Sequence, residues 1–336
     1  MAIRLQDIAN DLNLSKMTIS KVLRGQTDVS AETKARVLKR MKELNYRPNI
    51  SARGLRTGQT YSVGLVVPML GVHSTAQIVR GINEVFRPAN YSLVISSADG
   101  DAEIEEDEVE LHLARQVDAL VIVPRSEASE MPQVLKTTTV PVIYAGAPPP
   151  RFVGLSVGLR EREVGEMAAQ HLLKRRCKRI AYLRGPRTPV ADQRFGGFLE
   201  TLRDAGVIVR QEWVAETQPG EGDYCSGVAA IKRWHASKIK PDGVATYTDL
   251  LAAGTRDAAL EAQMEIPRTL QVIGCGNVFE VCETRVSITS IDLACEELGR
   301  RVARLALKCI GEKSDSSLRS AMFSPRVVQR MSTRTI

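Results

Sequence analysis

The 336-residue sequence has few aromatic residues and few cysteines. Phe, Trp and Tyr together make up 4% of the chain, and none of its six cysteines stands in a CxxC motif or a Cys/His pair with metal-ligand spacing. We therefore expect reduced thiols and predict no disulfide framework, no metal site and no cofactor. The six cysteines are Cys177, Cys225, Cys275, Cys282, Cys295 and Cys309.

The sequence also lacks long apolar runs and the features of a secretory signal. No apolar run approaches the ~20 residues of a transmembrane helix, and the N-terminus MAIRLQDIAN lacks both an apolar h-region and a small-residue cleavage site. These absences predict a cytoplasmic protein with no membrane partner. A content of 43% hydrophobic and 25% charged residues is typical of globular proteins, and the length indicates more than one domain.

The net positive charge lies at one end of the chain. Residues 1–60 contain twelve Lys or Arg and five Asp or Glu, a surplus of seven that equals the net charge of the whole chain, +7. A small basic module on a neutral body is typical of polyanion binding, because Lys and Arg that neutralise phosphates release counterions. The alternative is a basic terminus that is merely solvated.

Apolar residues at helical spacing predict three short helices in residues 1–47. Ser15 is a favourable N-cap for the second helix and Ser30 for the third, while Gly25 ends the second. This order of helices is typical of a helix-turn-helix, whose second helix enters the major groove. The predicted inward-facing residues are Leu5, Ile8, Ala9, Leu12, Ile19, Val22, Leu23, Val37, Met41 and Leu44.

The predicted outer face of the second helix suits DNA. It combines two lysines, which donate to phosphates or guanine edges, with a serine hydroxyl and with Met17, which can contact a thymine methyl. No acidic residue lies between Ser15 and Arg24. A three-helix bundle without DNA-binding activity is the alternative.

The segment that follows, residues 46–60, predicts a short hinge helix that starts at Pro48 and ends before Gly58. So short a helix is marginally stable in water unless it packs on a partner.

These segments resemble the headpiece and hinge of the LacI/GalR transcription regulators. The matching residues are Asp7-Ile8-Ala9, Ser15 to Lys21, Val29-Ser30, Thr33, Val37, Leu44-Asn45-Tyr46, Pro48-Asn49, Ala52-Arg53-Gly54-Leu55, Val63 to Pro68 and Ser332-Thr333-Arg334. The resemblance implies residues 1–47 as a helix-turn-helix DNA-binding headpiece, 48–60 as a hinge helix and linker, and 61–336 as a two-lobed core for effector binding and dimerisation.

The resemblance also implies roles for individual residues in DNA binding. Leu55 would be the apolar wedge that unstacks a base step in the minor groove, with Ala52 beside it, although packing within the hinge pair is an alternative for Leu55. The family commonly has an amide residue where this chain has Arg24. The base-reading residues would be Lys16, Met17, Ser20 and Lys21. The residues that position the DNA backbone would be Arg4, Ser15, Arg24, Ser30, Thr33 and Asn49.

Short runs of Val, Ile and Leu alternate with helical stretches from Tyr61 onward. Seven runs, SVGLVVP, SLVISS, ALVIVP, VPVIYAG, RIAYLRG, DGVATYT and LQVIGCG, predict buried parallel strands in βαβ units. The series divides near residues 150–160, which indicates two similar lobes with a cleft between them. The fold predicted is an α/β core, two-lobed and periplasmic-binding-protein-like with parallel sheets, preceded by an all-α helix-turn-helix domain.

Ligands bind such sheets beyond the carboxyl ends of the strands. By the family resemblance, Arg194 and Asp249 would contact the effector, and a guanidinium with a carboxylate suits hydroxyl-rich or amide-bearing ligands such as a sugar, a nucleobase or another polar metabolite. A structural salt bridge is the alternative for each residue. The chain departs from the family pattern at 71–75, at 160–161 and at 274–277. A ligand other than a plain sugar and a partly degenerate pocket are both consistent with these departures.

The resulting hypothesis is a homodimeric repressor that binds a pseudo-palindromic operator in double-stranded DNA under the control of a small molecule. A solute-binding protein would require a secretory signal and no basic head. The stretch Gly154-Leu-Ser-Val-Gly158 matches a hydrolase pattern with Ser156 as nucleophile, but no Asp and His follow in the required order, so we predict no catalytic residue and no enzyme activity. The sequence leaves open whether the protein represses or activates.

Overall fold

The structure is a computed structural model that describes residues 3–23, 26, 28–46, 58–125, 130–217, 223–237, 240–311 and 320–335. Contacts between Cα atoms divide the chain into two compact units, Met1–Tyr61 and Ser62–Ile336. No described helix combines the length and the apolarity that crossing a bilayer requires.

The first unit contains three helices, α1 Leu5–Asp11, α2 Lys16–Leu23 and α3 Ala31–Glu43. Ser15 and Ser30 cap α2 and α3 as predicted: the Ser15 hydroxyl accepts from the Thr18 amide at 3.0 Å, and the Ser30 hydroxyl accepts from the Thr33 amide at 3.2 Å. Such bonds satisfy amides that have no partner within the helix. The small core of the unit consists of Ile8, Ala9, Ile19, Val22, Val37 and Met41.

The described strands of the second unit form two six-stranded sheets, one for each lobe. In lobe 1 the order is β11-β5-β4-β3-β1-β2, and the strand pairs are parallel. The strands are β1 Ser62–Val67, β2 Ser92–Ser97, β3 Ala119–Ile122, β4 Val142–Ala145, β5 Leu155–Leu159 and β11 Ala321–Phe323. Helices α4 His73–Phe86, α5 Ala102–Ala114 and α11 Cys295–Gly311 pack in this lobe, together with a 3-10 turn at Gln133–Lys136.

In lobe 2 the strand order is β12-β10-β9-β8-β6-β7, and only the β10–β12 pair is antiparallel among the described pairs. The strands are β6 Ile180–Arg184, β7 Val214–Glu216, β8 Gly243–Thr246, β9 Gln271–Cys275, β10 Thr289–Asp292 and β12 Arg326–Val328. The helices are α6 Glu161–Lys174, α7 Pro189–Asp204, α8 Asp223–His235, α9 Asp249–Glu261 and α10 Phe279–Cys282, with a 3-10 turn at Gln211–Trp213.

The polypeptide passes between the sheets three times along its described elements: from β5 to α6, from β10 to α11 and from β11 to β12. Each of the seven predicted runs contains an observed strand. The first passage, at Arg160, lies at the end of the predicted 150–160 division. The later return of α11 and β11 to lobe 1 was not predicted, because the sequence pattern shows strands and not the sheet to which each belongs.

Helices α6 and α7 approach each other closely through two glycines. A Cβ on Gly165 would lie 1.7 Å from the Arg194 carbonyl oxygen, and a Cβ on Gly197 would lie 2.2 Å from the Arg162 carbonyl oxygen. Real Cβ atoms do not approach other atoms so closely, so these positions need glycine for the two helix backbones to meet. This contact fixes the start of α6 beside the middle of α7.

Candidate nucleic-acid interface and effector site

The start of α2 in the first unit exposes two of the four predicted base-reading residues. The Met17 side chain has a relative exposure of 62%, and Lys16 is also exposed, while Ser20 and Lys21 are half-buried. The Lys21 ammonium forms an ion pair with the Asp28 carboxylate. An apolar side chain with this exposure has no folding role, which leaves it available to a partner such as a thymine methyl.

The predicted backbone-positioning residues lie near helix N-termini. Ser15 and Ser30 are exposed N-caps, and the Ser30 hydroxyl also donates to the Thr33 hydroxyl at 2.9 Å. Arg4 precedes α1, and its amide donates to the Asp7 carboxylate at 2.7 Å. Helix N-termini favour anions, so these positions suit phosphates. The other predicted DNA contacts, Arg24, Asn49, Ala52 and Leu55, lie outside the described residues.

Arg194 lies on α7 with its guanidinium over the carboxyl ends of β8 and β9. Its side chain is buried, with a residue exposure of 7%, and Nε donates to Glu161 Oε2 at 2.7 Å. Nη1 donates to the thiol of Cys275, the last residue of β9, at 3.5 Å. The guanidinium carbon is 4.9 Å from the ring centroid of Tyr247, which follows β8. Arg194 therefore lies where ligands bind in such sheets, but it already has a carboxylate partner.

Asp249, the first residue of α9, also has its partners within the protein. It is 1% exposed, and its two oxygens accept from the Ser290 hydroxyl at 2.6 Å and from the Val278 amide at 2.7 Å. Gly274 leaves space for this carboxylate, since a Cβ there would lie 2.2 Å from Asp249 Oδ1. Burial raises the pKa of Asp249 despite these donors. The carboxylate thus connects β10 with the segment that follows β9.

The sequence prediction included neither Glu161 nor Tyr247 as a site residue. Glu161 begins α6 directly after the first passage between the lobes, and its contact with Arg194 joins residues 33 positions apart. Tyr247 belongs to the predicted run DGVATYT, near its carboxyl end, and the observed strand β8 ends one residue before it. No local pattern indicates the Glu161 contact, because it depends on the packing of α6 against α7.

An ion pair and a histidine–carboxylate contact lie elsewhere in the core. In lobe 1, Arg125 follows β3 and donates from Nε to Glu105 Oε2 at 3.1 Å; burial raises the pKa of Glu105, and Arg125 opposes that rise. Between the lobes, His73 Nδ1 at the start of α4 lies 4.0 Å from Glu280 Oε2 in α10. The lobes thus contact each other through side chains as well as through the chain passages.

Among the described residues no group of His, Cys, Asp or Glu could hold a metal ion.

Ser156 lies in the middle of β5 and not in a strand-to-helix turn. Its hydroxyl donates to the Ser320 hydroxyl at 3.3 Å, and the residue is 9% exposed. A nucleophile elbow requires an exposed serine between a strand and a helix. The geometry around Ser156 therefore differs from that of the hydrolase pattern.

Two family models match the chain. Residues 4–49 match the model for bacterial regulatory proteins of the lacI family, and residues 169–333 match a periplasmic binding protein-like domain. Catabolite control protein A of Priestia megaterium is 27% identical over 337 residues, covering 99% of this chain and 100% of that protein.

Solved structures show the same architecture. A transcriptional regulator of the LacI family from Silicibacter pomeroyi is 27% identical with a TM-score of 0.78, covering 98% of this chain and 99% of that one. The lac repressor dimer bound to operator and the anti-inducer ONPF is 22% identical with a TM-score of 0.85 over the full length of both chains, a likeness of fold. With its headpiece, its two-lobed core and these relatives, the chain belongs to the lacI family of DNA-binding transcriptional regulators.

Proposed function

We propose that this regulator is a cytoplasmic homodimeric repressor that binds a pseudo-palindromic operator through α2, with a small polar molecule in the core controlling that binding. The observation that carries the proposal is the face of α2, where Lys16 and Met17 are exposed on a helix without acidic residues. Two such helices related by a two-fold axis would read two half-sites in successive major grooves. The domain division proposed is 1–47, 48–60 and 61–336.

In this proposal Lys16, Met17, Ser20 and Lys21 contact base edges, and Arg4, Ser15, Ser30 and Thr33 contact the DNA backbone. We extend the same roles to the four predicted contacts outside the described residues, with Arg24 and Asn49 on the backbone and Ala52 and Leu55 in the minor groove. Solved structures of similar proteins support these partners: one is a lac repressor dimer bound to operator, and another is a complex of the transcriptional regulator CelR with cellobiose.

The core supports control by a ligand through its two-lobed form. The proposed effector residues are Arg194 and Asp249, and their partners reach strand ends and the passage between the lobes. A ligand that binds one arrangement of the lobes better than another shifts the population toward it. Such a shift would change the spacing of the two headpieces in the dimer and hence the affinity for an operator.

The test is selection of chromosomal DNA fragments by the purified full-length protein at near-physiological salt, followed by footprinting. We expect a protected site with two inverted half-sites, bound at least about 1,000-fold more tightly than random duplex. Binding no tighter than to random duplex would contradict the proposal. A reporter downstream of the selected site separates repression, in which deleting the regulator raises expression, from activation, in which it lowers expression.

A further inference from the structure

The guanidinium of Arg194 is only partly used by the protein. Its Nε meets the Glu161 carboxylate and its Nη1 meets a thiol, which is a weak acceptor. Among the described residues, no acceptor pairs with Nη2. A guanidinium fork binds a carboxylate best through two parallel N–H groups, so Arg194 has unused capacity for an anion.

The partner that it holds, Glu161, lies where the chain enters lobe 2. Glu161 is the first residue of α6, its side chain is 16% exposed, and its contact with Arg194 uses one carboxylate oxygen. The preceding residue, Arg160, contacts Glu163 at 3.2 Å and Ser324 at 3.2 Å, so both this passage and the last passage between the lobes meet here. Movement of Glu161 would therefore act directly on the connection between the lobes.

Burial decides which ligands can replace Glu161. Arg194 is 7% exposed, and a buried charge that loses its partner is strongly destabilised. A neutral ligand that displaced Glu161 would leave the guanidinium unpaired, whereas an anionic ligand would supply a new partner as Glu161 moves into solvent. The Tyr247 ring, 4.9 Å from the guanidinium carbon, shields this position from water and strengthens the preference for charge.

We propose that the ligand of this core is a small organic acid, whose carboxylate takes the place of the Glu161 carboxylate on Arg194. Glu161 is then an internal occupant of the site, and its release alters the passage from lobe 1 to lobe 2. The inference rests on the proposed function in one respect, that a small molecule bound in the core controls DNA binding. It replaces the broad expectation of a polar metabolite with a charged class.

The experiment compares acids with neutral molecules of the same skeleton. Isothermal titration measures binding of glucuronate and glucose, and of succinate and succinamide, to the full-length protein and to Glu161→Gln. Because the variant removes the internal competitor and its charge, we expect each acid that binds to do so roughly tenfold more tightly, a gain of about 1.4 kcal/mol, while the neutral molecules change little. Glu163→Gln is the matched control, two residues along the same helix and paired with Arg160, and it should leave the affinities unchanged.

Two further variants keep the test decisive if Glu161→Gln folds poorly. Glu161→Asp retains the charge but shortens the reach, and it should also tighten acid binding. Arg194→Lys retains a cation but loses the planar fork, and it should weaken acid binding roughly tenfold. Neutral molecules that bind as tightly as their acids, or acid affinities that none of the site variants alters, would overturn the inference.

The same samples separate this inference from the proposed function. Operator binding measured with and without each bound acid tests control by the ligand. Acids that bind as expected without altering operator affinity would support the ligand class and contradict the allosteric part of the proposed function. A neutral sugar that binds and releases the operator would contradict the ligand class and support the proposed function.

Discussion

The two candidate sites of this protein differ in how their polar groups are used. On α2 the side chains of Lys16 and Met17 are exposed, while Lys21 is half-buried and paired with Asp28, and the exposed side chains suit a partner that is not part of the chain. Over β8 and β9 the charged groups are buried, and Arg194 and Asp249 have protein partners within 3 Å. The first surface is open to an external partner, whereas at the second site a ligand must compete with Glu161 for the guanidinium of Arg194.

This difference follows from the free energy of burial. An exposed cation is solvated, so it costs the folded protein little free energy before it binds a phosphate. A buried guanidinium, in contrast, needs a counter-charge within the folded protein. A regulator built in this way recognises DNA by adding contacts and recognises its ligand by exchanging them.

The largest expected effect concerns the helix contact that holds Glu161 beside Arg194. Gly197→Ala places a Cβ 2.2 Å from the Arg162 carbonyl oxygen, so α6 and α7 must separate, and we expect a loss of about 3 kcal/mol in the free energy of unfolding. Gly196→Ala is the control, since its Cβ would meet its nearest atom at 3.7 Å, and there we expect no loss or a gain of about 0.5 kcal/mol. Urea unfolding monitored by far-UV circular dichroism measures both. Equal stabilities for the two variants would show that the contact is not tight.

The second prediction concerns acid sensitivity, which should be confined to the core because all four histidines lie in residues 62–336. Burial, with Arg175 and Lys174, lowers the pKa of His171 to about 3. As the pH falls below the unfolded pKa of about 6.5, His171 becomes protonated in the unfolded chain but stays neutral in the folded chain. The free energy of unfolding therefore decreases. From pH 7 to pH 5 we expect a loss of about 2 kcal/mol from this residue.

The check on His171 is a comparison of unfolding at several pH values. His171→Gln retains a donor and acceptor for the Thr333 hydroxyl, which lies 2.9 Å from His171 Nε2 in the native protein. The variant should lose part of the pH dependence between pH 7 and 5, and His112, whose pKa burial also lowers, contributes to the part that remains. An unchanged pH dependence would mean that His171 is accessible to protons in the folded state.

Much of the fold was predictable because local patterns report local structure. Seven strands and the caps Ser15 and Ser30 followed from apolar runs and helix-start residues, although β2 has no fully buried residue. Five strands lie outside the predicted runs, because each is short or has polar residues or glycine among its apolar ones: β5, β7, β10, β11 and β12. The antiparallel pairing of β12 with β10 depends on the passage of the chain from β11 back to lobe 2, which no sequence pattern predicts.

Of the candidate effector site, only Arg194 and Asp249 were predicted from the sequence. Arg194 was identified through the family resemblance, but its pairing with Glu161 depends on two glycines, Gly165 and Gly197, that let the helices α6 and α7 meet. Asp249 was expected to contact the effector, and this role stays a prediction. Its neutral donors, Ser290 and the Val278 amide, come from other strand ends and loops, which a residue pattern does not identify.

The third prediction tests the exposed surface. Lys21→Gln should weaken operator binding about tenfold and reduce the sequence preference, with little change in the salt dependence of binding, because Lys21 is proposed to contact a base edge. Lys39→Gln is the matched control, because it removes the same charge from an exposed position on α3. Fluorescence anisotropy at several salt concentrations measures both. A salt slope lower by about one unit, with the sequence preference kept, would instead place the ammonium on a phosphate.

The smallest expected effect concerns the one acidic partner of that lysine among its described ion pairs. Asp28→Asn removes a carboxylate beside Lys21 in a half-exposed pair, and exposed pairs contribute little. The carboxylate repels phosphates of any duplex, so its removal should raise affinity for random DNA about two- to threefold. The affinity for the operator should rise less, because Lys21 is proposed to contact a base edge in the operator complex. Anisotropy with random and operator duplexes at equal salt provides the comparison, and a larger gain for the operator than for random DNA would show that Asp28 does not contribute to discrimination.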